Sequence, residues 1–77
     1  MTIESIRQLY DARPFRPFIL HLADGRRTTI HHPEFLAFSP DDRTLVAFQP
    51  DRTMKIIDLE LVTELEVKPN RTPRKAA

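Results

Sequence analysis

The sequence predicts a mainly β domain: one short N-terminal helix followed by a five-stranded, strongly bent antiparallel small barrel. Three observations carry this expectation. Apolar residues recur at helical spacing only near the start, at Ile3, Ile6, Leu9 and Tyr10. From Phe18 onward they alternate instead, with Phe18, Leu20 and Leu22 set against Ile19, His21 and Ala23. Turn signals then recur at Asp24-Gly25, Ser39-Pro40-Asp41-Asp42 and Pro50-Asp51-Arg52, dividing the chain into short runs. An open flat sheet of such strands would leave two edges unpaired, whereas strong bending into a barrel closes them.

The helix is expected over residues 2–11. Thr2 supplies an N-cap hydroxyl, Glu4 places an anion in the first turn, and Pro14 ends the element by forcing Arg13 out of the α region. At about ten residues it is marginal alone and must dock. The reading buries Leu9 against the sheet and leaves Arg7 on the opposite, solvated face. The tandem tripeptide Arg13-Pro14-Phe15, Arg16-Pro17-Phe18 is then a stiff connector, since each proline fixes φ and removes a donor. Phe15 and Phe18 are expected to close one end of the core.

The first strand runs to Ala23, and a second returns from Arg27 to His32. Register decides the faces, because a one-residue slip reverses all of them. A three-residue loop, Asp24 to Arg26, sets Thr28 and Ile30 on the face of Leu20 and Leu22. Pro33-Glu34 marks a bend, with Phe35 to Phe38 continuing the same strand. Leu45 to Gln49 and Thr53 to Asp58 form the third and fourth strands, Leu59-Glu60-Leu61 a 3₁₀ turn, and Val62 to Val67 the last strand. The expected core is Ile6, Leu9, Phe18, Leu20, Leu22, Ile30, Phe35, Leu45, Ala47, Ile56, Leu61 and Leu65.

With 77 residues there is room for one domain. The reading assigns residues 1–67 to a single small barrel and residues 68–77 to a disordered basic tail, charged and without large apolar side chains. Cysteine is absent, which removes disulfides, thiolate metal sites and thiol nucleophiles together. A chain this small buries only about 60% of its unfolded surface, so self-association is an expected source of further stability. The first ten residues carry charges where a signal peptide needs an apolar core, and a cytoplasmic location is expected.

The net charge of +1 hides an asymmetry. The tail holds Lys68, Arg71, Arg74 and Lys75 with no acid, leaving 8 basic and 11 acidic residues in 1–67, a net −3. An acidic body does not read as a nucleic-acid-binding face. The four tail cations are the candidate phosphate contacts, and their binding would be strongly salt-dependent.

Catalytic arrangements are not evident. Ser5 and Ser39 lie in a helix and a turn, away from any nucleophile elbow. Asp41 and Asp42 are explained by turn chemistry, and one glycine rules out a phosphate loop. The only histidines are His21, His31 and His32. His21 and His31 are placed on the outer face of the first hairpin beside Arg27 and Thr29, and Glu34 could complete a zinc set with them. The nearby arginine opposes a cation, so the reading is a solvated face with no metal and no cofactor. Tyr10, Phe15, His21, Arg27 and His31 are the candidate interaction residues.

Arg16-Pro17-Phe18, Leu22, Asp24-Gly25-Arg26, His32-Pro33-Glu34-Phe35, Ile57-Asp58-Leu59 and Val62-Thr63 together resemble the pattern of a group of small uncharacterised bacterial proteins. The resemblance covers roughly residues 13–67 and implies a fold, with no shared activity attached to it. The order of elements also resembles the small barrels of Sm-like and SH3-like proteins, among them the bacterial RNA chaperone of the Sm-like fold. Two features of that pattern are missing, a glycine in the second strand and a lysine–histidine pair before the last. Two functions are therefore carried forward. One is a non-enzymatic interaction or assembly module that binds itself or another protein. The alternative is an Sm-like RNA-binding protein. No membrane and no small-molecule substrate are expected.

Overall fold

The computed structural model describes residues 1–69. Helix α1 spans Ile3–Asp11, and six strands follow: β1 Phe18–Leu22, β2 Arg27–Ile30, β3 Leu36–Phe38, β4 Thr44–Phe48, β5 Met54–Asp58 and β6 Val62–Val67. Single 3₁₀ turns at Pro33–Phe35 and Leu59–Leu61 precede β3 and β6. The strands form two separate three-stranded antiparallel sheets, ordered β2-β1-β6 and β3-β4-β5. The barrel expected from sequence is thus not closed by strand pairing, and six strands stand in place of five. The cause is local. Pro33 cannot donate to a ladder, and the 3₁₀ turn that it opens divides the second expected strand into β2 and β3.

Helix α1 begins and ends where its sequence signals fall, but the expected cap bond is not made. The Thr2 side chain bonds no backbone N–H; its hydroxyl meets the Ser5 hydroxyl at 2.9 Å. One helix residue is wholly buried, and it is Ile6, whereas Leu9 is only partly buried. Arg7 is not idle on a solvated face. Its guanidinium donates to Asp42 Oδ1 at 2.8 Å and lies 4.3 Å from the Phe38 ring centroid, while Tyr10 meets the same ring edge-on at 5.1 Å. The helix is therefore fastened over β3 and the β3–β4 turn.

The first hairpin keeps the expected faces, but its three-residue loop is Ala23 to Gly25 instead of Asp24 to Arg26, because Leu22 already pairs with Arg26. Phe18 faces Ile30 and Leu20 faces Thr28. Gly25 supplies the positive φ (91°) that the turn requires, and Asp24 accepts from the Arg26 backbone N–H at 3.0 Å. On the other side of β1, Leu20 faces Leu65 and Phe18 faces Val67, with a bulge between His21 and Leu22 that brings Leu22 opposite Val62.

The inner faces of the two sheets meet in one core of Ile6, Phe18, Leu20, Leu22, Ile30, Leu36, Leu45, Ala47, Ile57 and Val62. Three expected core positions move by one residue. Ile57 is buried in place of Ile56, Val62 in place of Leu61, and Leu36 in place of the half-buried Phe35. Each slip is a phase error. A 3₁₀ turn rotates the chain through three residues per turn, so the alternation does not run through it. In β5 the error came from Lys55, which shares the inner parity with Ile57. Lys55 lies at the margin of the sheet, where a lysine stem reaches water while its backbone keeps the register.

Among the described residues no helix is long and apolar enough to cross a membrane.

Candidate interaction surface

Antiparallel sheets with one solvated face usually read apolar-in, polar-out. The sheet β2-β1-β6 largely does so. Its outer face carries His21, Arg27, Thr29, Glu64 and Glu66 around Ile19, which is covered to 7% exposure as the middle residue of the central strand. The sheet β3-β4-β5 does not. Leu45 and Ile57 are paired on its inner face, and the alternate positions form the outer one: Ala37 beside Val46, Val46 beside Ile56, and Phe48 beside Met54. Phe48, Met54 and Ile56 are 41%, 56% and 69% exposed. Thr44 and Asp58 pair at one end of this face, and Asp58 is its single charge. A strand pair that buried only one side would not need Val46, Phe48, Met54 and Ile56 to be apolar as well.

A second feature lies where the two sheets part. A cleft of about 180 Å³ is lined by Leu22, Arg26 and Thr28 from the first hairpin and by Lys55, Ile56 and Ile57 from β5. Thr28 is 2% exposed. Arg26 is held by Asp24, Nε to Oδ2 at 2.8 Å, while Lys55 makes no ion pair among the described residues.

The residues singled out from sequence are scattered. Tyr10 is engaged with Phe38, and Phe15 packs on the core with its ring 5.8 Å from that of Phe18. His21 sits on the outer face of β1 and shares a hydrogen bond of 2.9 Å with Glu66, its diagonal neighbour across the β1–β6 pair. Arg27 lies opposite His21 and is exposed, and His31 is half-buried just beyond β2. His32 stacks edge-on against Phe35 at 5.5 Å. Lys68 continues the β1–β6 pairing, its N–H donating to the Pro17 carbonyl at 3.0 Å. Arg71, Arg74 and Lys75 lie outside the described residues. No group of three His, Asp or Glu side chains converges among the described residues.

The carboxylates that the structure does organise belong to turns. Asp41 accepts from the Ser39 hydroxyl at 2.6 Å and from the Arg43 N–H at 3.1 Å. Asp51 accepts from the Thr53 hydroxyl at 2.6 Å and the Thr53 N–H at 3.0 Å. These hydroxyls, foremost, hold the Asp41 and Asp51 carboxyls below the usual value of 3.8, as the Arg26 N–H does for Asp24. Asp58 caps the second 3₁₀ turn by accepting from the Glu60 N–H at 3.0 Å. A shallow depression is lined by Asp41 and Asp58, whose carboxylates already serve the backbone, and by Arg43, Leu59 and Glu60.

Sequence reasoning missed the outer face of β3-β4-β5. The available signal was apolar residues at both parities of β4 and β5, Thr44 to Phe48 and Met54 to Asp58, instead of clean alternation. Compared with family models, curated proteins and solved structures, the chain matches none.

Proposed function

We propose that the chain is a non-enzymatic interaction and assembly module that self-associates through the outer face of β3-β4-β5. One observation carries the reading: Phe48, Met54 and Ile56 are exposed together on a face with one peripheral charge. Contiguous exposed apolar side chains on a small domain mark contact surfaces, and interface centres are depleted of charge and enriched in Phe and Met. A second copy suits this face. A two-fold interface sets a patch against itself, and an uncharged centre meets its own image without repulsion. A stable pair needs about 800 Å² from each partner, so the apolar residues form the centre and the polar margin of the sheet the rim. The absence of cysteine and the small core support the same reading, since a chain of this size gains stability by covering apolar surface.

The two sheets are read as halves of one open barrel of the Sm-like or SH3-like type, in which β2 and β3 are one bent strand. The order of elements supports this, with the helix first and a 3₁₀ turn before the last strand. A cytoplasmic location belongs to the same reading.

Light scattering coupled to size exclusion, over a range of concentrations, tests the proposal. The wild-type chain is expected to run as a concentration-dependent dimer, and Met54→Lys, which sets a cation among the exposed apolar side chains of the face, as a monomer with unchanged circular dichroism. A wild-type monomer at every concentration sinks self-association. A six- or seven-fold ring that retains RNA would instead select the Sm-like RNA-binding alternative.

A further inference from the structure

The cleft between the sheets differs from the outer face in kind. It is lined by the apolar Leu22, Ile56 and Ile57 together with the cations Arg26, which Asp24 holds, and Lys55. Lys55 lines it with no carboxylate at ion-pair distance among the described residues. Thr28 also lines it and is the buried polar residue of the described core, at 2% exposure. The cleft also runs along a free sheet edge. β5 is the last strand of its sheet, and no backbone hydrogen bond joins its outer side to another described residue.

We propose that this cleft takes an extended acidic peptide, which adds as a strand to the edge of β5. Three properties select that ligand. A free edge offers main-chain donors and acceptors in strand register, which a peptide satisfies and a small molecule does not. The volume, about 180 Å³, falls below the roughly 300–1,000 Å³ of small-molecule sites and suits one or two side chains. The charge asks for a carboxylate, because Lys55 has no acid at ion-pair distance among the described residues, only the longer-range attraction of Asp51, and Asp24 beside the hairpin is already bound to Arg26. Residues two apart on a strand point the same way and stand roughly 6.6 Å apart. An apolar side chain can therefore rest on Leu22 and Ile57 while a glutamate two positions along reaches Lys55, and the Thr28 hydroxyl donates to the bound chain. Lys55 has inner parity and lies off the outer face, whereas Ile56 borders both, so the site is tested through Lys55.

A short fluorescein-labelled peptide of alternating Glu and Val, its termini blocked, is the probe, titrated into the full chain by fluorescence anisotropy. Binding is expected, weakening as salt rises, with none for the Lys/Val counterpart. Lys55→Glu should weaken it about tenfold or more, the worth of one charge-assisted bond. Arg13→Glu, the same charge change on the exposed connector, should leave it unaltered. Amide shifts in ¹⁵N spectra should cluster on β5 and at Thr28. Equal loss in Lys55→Glu and Arg13→Glu would reduce the binding to net charge and overturn the site. So would shifts confined to another strand edge. Octanoate shifting these amides where the peptide shifts none would overturn the strand reading in favour of a small apolar acid.

Discussion

Replacing Ile6 by alanine asks whether the helix belongs to the core. Ile6 is the one wholly buried residue of α1, at 0% exposure, and it packs in the same cluster as Phe18, Leu20 and Ile30. The substitution removes three carbon groups, about 2.4 kcal/mol of transfer free energy at about 0.8 kcal/mol each. Partial collapse of the cavity leaves a further cost, bringing the total to about 3–4 kcal/mol. A domain of this size without disulfides has only about 3–5 kcal/mol in hand, so Ile6→Ala should be largely unfolded at room temperature. Because that variant leaves little transition to measure, Ile6→Val gives a second point, expected at about 0.5–1.5 kcal/mol. Leu9→Ala, at a half-buried site, should fall between them at about 1–2 kcal/mol. Arg7→Ala, which sequence alone would make nearly silent, should cost about 1 kcal/mol, because it removes the Asp42 bond and the stack on Phe38. Urea denaturation followed by far-ultraviolet circular dichroism measures all four. If Ile6→Ala costs under about 0.5 kcal/mol, as a surface change does, the helix is not docked through Ile6 and the packing described above is wrong.

Three further outcomes follow from the turns. Gly25→Val should lower stability by about 1 kcal/mol or more, read as a shifted urea midpoint. The space around a new Cβ is open there, so the whole cost is backbone strain at φ 91°. Arg52→Gly should raise stability by about 0.5 kcal/mol, because the arginine holds φ 76° in a region that costs an L-residue roughly 1–2 kcal/mol, part of which glycine returns through its freer unfolded chain; a lower urea midpoint would show that the arginine side chain does more than fill the turn. The Asp24, Asp41 and Asp51 carboxyls are all held below 3.8. Their contribution is therefore full above that value and lost as pH falls through their lower folded values. Stability should be level from neutrality to about pH 4 and drop below it, with Asp41→Asn and Asp51→Asn flattening the acid limb; a decline beginning near pH 6 would implicate other groups.

Much of the fold was legible because its signals are local. Gly25 marked the first turn, and an odd-numbered loop put Thr28 and Ile30 on the face of Leu20 and Leu22, although the pairing itself lies two residues from the one that a loop of Asp24 to Arg26 gives. The helix limits, the 3₁₀ turn at Leu59–Leu61 and the packing of Phe15 and Phe18 with the core follow from proline, aspartate and spacing in the same way. What was not legible depends on contacts distant in sequence. The pairing of Arg7 with Asp42 and of His21 with Glu66 joins residues brought together only by the packed sheets. Tyr10 and Phe15 are half-buried, and their partners Phe38 and Phe18 are likewise set by the packed fold.

The misplaced residues and the missed surface have one physical origin. In Met54-Lys55-Ile56-Ile57-Asp58 the polar Lys55 invites the parity that turns Ile56 inward. The true parity is set elsewhere, by Leu45 facing Ile57 across β4 and β5. A strand with an apolar residue on each face satisfies the core in either register, so alternation cannot choose between them. That ambiguity is itself informative. The chain's own core gives no packing reason for Val46, Phe48, Met54 and Ile56 to be apolar, since they lie on the side it does not use. If the face were simply solvated, polar substitution there would cost little and remove an aggregation hazard. Where sequence patterning fails because both faces of a strand are apolar, the failure points to the second face having something to cover it.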